Sequence, residues 1–269
     1  MPLTGACRGV RVWKVFLDGP EHPGWWRLLS GRERDKALAL AGALDRRRYV
    51  AAHAALRAVL GRACGVPPER IRLATDATGR PCLHPDGPAA PARPVAPDGP
   101  AGSGGPAPSL PGARVDFNLS HSDAWALIVL APPGVRAGVD VERIRADLDP
   151  LAMARRLYRP AETARLLAAA TPAAALAGYF RLWTAKEAFV KATGAGLPGL
   201  SDVAVTEDDG PGTGPGTGTG PGTGTGTGEG SATSIRSRSL SGPVRWLDVA
   251  PGYAAALVTI VSTPAPRTG

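Results

Sequence analysis

The sequence predicts an α+β fold made of two similar halves, a pseudo-dimer with a ligand cleft between them. Three observations lead there. Strand-like and helix-like segments recur in a similar order on either side of residues 120 to 130. Each half holds a long stretch of helical spacing that closes on a glycine, Gly65 in the first and Gly194 in the second. Two segments too poor in apolar residues to fold, 85 to 113 and 209 to 230, interrupt this pattern without belonging to it. The halves are placed at residues 1 to 122 and 123 to 269, with both low-complexity segments expected to be flexible loops.

The elements follow in order. VRVWKVFLD (10 to 18) reads as a strand, and a helical region runs from about Glu33 to Ala63. IRLAT (71 to 75), a turn at ATGRP and the strand VDFNLS (115 to 120) complete the first half. In the second half, AWALIVLA (124 to 131) and AGVDVE (137 to 142) read as strands. Helices are predicted at about Ala161 to Ala170 and Ala174 to Thr193, and VRWLDV and AAALVTIV read as late strands.

With 269 residues, 43% of them hydrophobic, the chain can bury one large core or two small ones. The net charge of +8 suits acidic partners, whether nucleic acid, phosphorylated small molecules or an acidic protein. Its arginines are dispersed, with no block resembling a nucleic-acid-binding tail. Cys7, Cys64 and Cys82 lack a CxxC spacing, so reduced thiols are expected rather than a disulfide framework or zinc site. The first residues lack a continuous apolar run, and no stretch approaches about 18 apolar residues, so a soluble, cytoplasmic protein without membrane contact is expected.

Three short stretches carry possible chemistry. On a strand, AGVDVE places Asp140 and Glu142 side by side on one face, where two carboxylates repel unless a hard cation lies between them. In WTAKEAFVK (183 to 191), Glu187 and Lys191 are i,i+4 neighbours on a helix. This arginine-rich chain has only four lysines, and Lys186 and Lys191 are two of them. A compact ammonium suits a single phosphate oxygen, and Glu187 would add a third oxygen ligand to Asp140 and Glu142. FNLSHS (117 to 122) puts hydroxyls and an imidazole at a strand end. Ser120 and His121 diverge on an extended chain and no G-x-S-x-G elbow is present, so phosphate binding by His121 fits better than a nucleophilic serine.

In this order, FNLSHS, GVDVE and WTAKEAFVK resemble the 4′-phosphopantetheinyl transferases of the larger, surfactin-synthetase-activating type, and GRPC (79 to 82) fits that family's G-(K/R)-P element. The resemblance implies transfer of the phosphopantetheine arm of coenzyme A to a serine of an acyl- or peptidyl-carrier protein, dependent on Mg²⁺, with release of adenosine 3′,5′-bisphosphate. It implies Asp140, Glu142 and Glu187 as Mg²⁺ ligands and Lys191 and Lys186 beside the pyrophosphate, with Glu187 also the candidate base. His121 and Ser120 would meet coenzyme A phosphate, Arg80 and Pro81 the adenine side, and Arg48 and Lys36 the 3′-phosphate. A monomer is expected, because both halves of the cleft come from one chain. A basic nucleic-acid-binding protein is the alternative. It leaves the acidic trio unexplained, and the chain lacks an aromatic-lined strand surface or a helix-turn-helix pattern.

Overall fold

A computed structural model describes residues 2–3, 9–84, 115–207 and 233–261. The chain runs β1 (Pro2–Leu3), β2 (Arg11–Phe16), α1 (Trp25–Leu28), α2 (Gly31–Leu38), α3 (Ala43–Cys64), β3 (Leu73–Thr75), β4 (Pro81–Leu83), β5 (Asp116–Ser122), β6 (Trp125–Ala131) and β7 (Val135–Arg143). Then follow α4 (Pro150–Leu157), α5 (Pro160–Leu167), α6 (Pro172–Thr193), β8 (Ala204–Glu207), β9 (Thr233–Arg236), β10 (Ser241–Trp246) and β11 (Tyr253–Val261). Two antiparallel sheets result, in the orders β1-β2-β6-β5 and β7-β11-β10-β9-β8, with β3 and β4 as a separate hairpin.

Sequence explains the layering. WALIVLA on β6 is apolar at nearly every position because both faces are covered, and residues 126 to 131 are all 2% exposed or less. Ile128 and Leu130 meet Leu56 and Leu60 of α3. Leu127 and Val129 point the other way, into a core shared with Ala137, Val139 and Val141 of β7 and Leu257 of β11. On the far side of the second sheet, Ala185, Ala188, Phe189 and Ala192 of α6 pack on Val258 and Ile260 of β11. The order is helix, sheet, sheet, helix, a mixed α+β fold. The two 22-residue helices, α3 and α6, end on Gly65 (φ +68°) and Gly194 (φ +78°) in left-handed caps.

Several elements differ from the sequence reading. The single helical region over 33 to 63 is two helices. A capping box starts α2 early, with Ser30 Oγ accepting from Glu33 N and Glu33 accepting from Ser30 N, and Gly42, extended at ψ 125°, caps α3. Helix α4, N-capped by Asp149 with a proline at its first turn, and strands β8 and β9 were not foreseen. β6 follows residue 122 yet pairs with β2 and β5, so the chain changes sheet between Ala131 and Val135. The segments 85 to 113 and 209 to 230 lie outside the described residues. Among the described residues no helix is long and apolar enough to cross a membrane.

Candidate active site

The site forms where α6 crosses β7. Gly138, Asp140 and Glu142 alternate onto the face of β7 beneath α6. A Cβ on Gly138 would stand 1.9 Å from the Ala188 carbonyl oxygen, so glycine lets the helix come close enough for its next turn to reach Asp140. Lys191 Nζ then donates to Asp140 Oδ1 at 2.6 Å and to Ser120 Oγ at 3.0 Å. Ser120 in turn donates to Asp140 Oδ1 at 2.7 Å, and Ser122 donates to Glu142 Oε2 at 2.8 Å.

These carboxyls share one electrostatic environment. Burial, opposed by Lys191, pushes the Asp140 pKa up. Glu142 is raised by burial and then by the charge of Asp140. Glu187 is raised by burial, and further by Asp140 and Glu142, against the attraction of Lys191. Among the described residues no three acidic, histidine or cysteine side chains are disposed to hold a metal ion as they stand. Asp140 Oδ2 is nevertheless buried with no hydrogen-bond partner, next to two further acids. An orphaned carboxylate oxygen among like charges is what an oxygen-ligated cation relieves.

Alongside lies a cleft of about 1130 Å³, lined by Arg32, Lys36, Arg48, Arg72, Pro81 and His121 among others. His121 stands exposed on its wall. The protein around the ring, then the charges of Lys191 and Lys36, hold its pKa below the ordinary value. Lys36 lies over the Tyr49 ring, on which His53 stacks at 3.8 Å. Arg48 reaches the cleft, but Asp18 takes two of its nitrogens at 2.7 Å each and Asp123 the third.

Three residues picked out from the sequence sit elsewhere or do something else. Arg80 is buried, paired through both arms with Asp116 at 2.7 and 2.8 Å and donating to the carbonyls of Lys191 and Ala137. It ties the turn before β4 to β5, β7 and α6 and does not line the cleft, whereas its neighbour Pro81, the first residue of β4, does. Lys186 is fully buried, 2.8 Å from Glu162, and donates to Val203 O at 2.5 Å. It shares the apolar helix stripe of Leu182 and Phe189, at i−4 and i+3, so helical spacing alone separates it from Glu187 and Lys191. Ser120 is buried behind Asp140. Arg72, Tyr49 and His53 were missed. Arg72 was legible as a lone charge in IRLAT, while the Tyr49–His53 stack needed the i,i+4 geometry of α3.

The chain is similar to known proteins of one family. The family model ACPS, 4′-phosphopantetheinyl transferase superfamily, matches residues 136–239, which hold β7 and α6. The chain is 30% identical over 205 residues to 4′-phosphopantetheinyl transferase HetI of a Nostoc species, covering 76% of each protein. It is 24% identical over 192 residues to 4′-phosphopantetheinyl transferase Sfp of Bacillus subtilis, covering 70% of this chain and 72% of that one. Over 217 residues it is 26% identical to a phosphopantetheinyl transferase of a Thraustochytrium species, covering 74% of this chain and 66% of that one.

Proposed function

The chain belongs to the 4′-phosphopantetheinyl transferase family, and from that premise we propose that it moves the phosphopantetheine arm of coenzyme A onto a serine of an acyl- or peptidyl-carrier protein with Mg²⁺. The observation that carries this reading is the meeting of Asp140, Glu142, Glu187 and Lys191, with Lys191 near enough to act on His121, which lines a cleft with basic residues.

Asp140, Glu142 and Glu187 would hold the cation, and their chemistry fits it: all donors are oxygen, their charges oppose one another, and Asp140 Oδ2 lacks a partner. When bound, Mg²⁺ supplies positive charge to pyrophosphate oxygens and frees the carboxylates from mutual repulsion. Lys191 sits where its ammonium can turn from Asp140 to a phosphate oxygen and balance charge as the leaving group departs. Arg32, Lys36 and Arg72, which line the cleft, would take the 3′-phosphate end, with Pro81 along the base and His121 on a phosphate. Arg48, already held by two aspartates, sets the cleft wall rather than adding free charge.

In the transfer, the carrier serine oxygen bonds to the phosphorus on the pantetheine side as the bond to adenosine 3′,5′-bisphosphate breaks. Glu187 would also be the base that takes the serine proton. The basic last turn of α4, with Arg155 and Arg156, suits an acidic carrier, and a cleft completed within one chain suits a monomer.

The test is intact mass of an apo carrier protein after incubation with the enzyme, coenzyme A and Mg²⁺, with an EDTA control. Gain of one phosphopantetheine arm, lost with EDTA and in Glu187→Ala, is the expected result. Acyl- and peptidyl-carrier proteins left unmodified by a folded enzyme, or full turnover by Glu187→Ala, would overturn it.

A further inference from the structure

Strand β5 is the edge of the first sheet and β7 the edge of the second. An edge strand presents N–H groups that need partners. Here those of β7 are met by β5 side chains, not by its backbone. Ala137 N donates to Asp116 Oδ2 at 2.7 Å, and Val139 N to Asn118 Oδ1 at 3.2 Å. Val141 N donates to Ser120 Oγ at 3.4 Å, and Arg143 N to Ser122 Oγ at 3.1 Å. The sequence offset is 21 at every rung, so the strands run parallel and in constant register.

The rungs differ in one chemical respect. Asp116 ends its rung as an acceptor, whereas a hydroxyl both accepts and donates. Ser120 and Ser122 therefore each accept a β7 N–H and donate their own O–H to the carboxylate of the residue preceding that N–H, Asp140 and Glu142 respectively. The same unit repeats two residues on, pinning one oxygen of each acid. Asp140 is left with Oδ2 unpartnered.

Resting on the functional reading above, we propose that Ser122 is a positioning residue for the cation site, orienting Glu142 as Ser120 orients Asp140. Alanine there removes the hydroxyl that holds Glu142 Oε2, leaving Glu142 to Trp183 alone among its side-chain donors, and leaves Arg143 N without its acceptor. An acid there cannot donate when ionised and repels Glu142. The position calls for a hydroxyl. Ser122 tests this more cleanly than Ser120, which Lys191 also contacts.

The experiment compares Ser122→Thr with Ser122→Val, which share a shape and differ in the hydroxyl. Mg²⁺ is titrated calorimetrically into each protein saturated with coenzyme A. Coenzyme A affinity without metal and the melting temperature are measured in parallel. Ser122→Val should raise the Mg²⁺ dissociation constant about 10- to 100-fold, the range for groups that orient metal ligands. Ser122→Thr should stay close to the wild type, and both should bind coenzyme A without metal as the wild type does. Wild-type Mg²⁺ affinity in Ser122→Val, or equal losses in both variants, overturns the proposal while leaving the functional reading intact. Absence of Mg²⁺ uptake by the wild-type complex overturns both.

Discussion

Removing the charge of Glu162 should unfold the protein more readily without touching the chemistry. Its Oε2 lies 2.8 Å from Lys186 Nζ and 2.9 Å from Arg159 N, and its Oε1 lies 2.9 Å from Val205 N. One carboxylate thus serves three donors, a task the single oxygen of a glutamine cannot repeat. At 2.8 Å and an effective dielectric of about 20, the ion pair attracts by roughly 6 kcal/mol, offset by the desolvation of both charges. Leaving Lys186 buried with the carbonyls of Val203 and Leu200 and the Tyr158 ring but no counter-charge should cost about 3–5 kcal/mol for Glu162→Gln. Adding Lys186→Met removes the stranded ammonium, and the double variant should regain about 2 kcal/mol or more, read from urea unfolding as a coupling energy. Burial already lowers the Lys186 pKa below its usual 10.5, against the pull of Glu162. The unfolded chain therefore binds the proton more tightly, so the stability of Glu162→Gln should rise as pH climbs toward that value. Additive losses, or a cost below about 1 kcal/mol, would refute this account. A folded double variant without transfer activity would return Lys186 to the chemistry.

Three further outcomes follow from named contacts. Burial lowers the His53 pKa from 6.5 to about 4, so stability should fall as pH drops through that window, by at most about 3 kcal/mol; the loss should be smaller in His53→Gln, measured by melting against pH. Gly138→Ala puts a Cβ 1.9 Å from Ala188 O and 2.6 Å from Ala192 N, so α6 must shift, with a loss of about 3 kcal/mol or more in urea and of transfer activity. Arg80→Lys replaces a fork on Asp116 by a point charge and should cost about 2–3 kcal/mol of stability with coenzyme A affinity nearly retained; lost affinity at normal stability would instead put Arg80 in the binding site.

Much of the architecture was legible because its signals are local. The apolar run of β6 and the 3.6-residue stripe of α6 report how many faces are buried, and the structure buries those faces. Strand β7, by contrast, alternates in polarity yet is buried on both faces, because α6 covers Gly138 and Asp140. The early start of α2 and its break from α3 were written too, in Ser30-x-x-Glu33 and in Gly42, though helical spacing on either side masked them. Strands β8 and β9 flank a low-complexity segment and are four residues each, too short for a period to declare itself.

The site divides along the same physical line. Whether Glu187, Lys191 and Lys186 could act together was a question of helix angle, and the i−4 and i+3 apolar neighbours of Lys186 already turn it away from the other two. What its buried charge would meet was not legible, because Glu162 lies on a different helix. FNLSHS shows the limit more sharply. Alternation places Asp116, Asn118, Ser120 and Ser122 on one face, but it does not say whether a ligand or another strand's N–H groups fill that face. A hydroxyl is suited to either. The edge pairing with β7 decides it for both serines, and His121, pointing the other way, keeps the cleft. A motif read as a ligand contact is thus two devices on opposite faces of one strand. One holds the carboxylates and the other faces the cleft, so on the proposed function changes at Ser122 and at His121 should separate metal affinity from coenzyme A affinity.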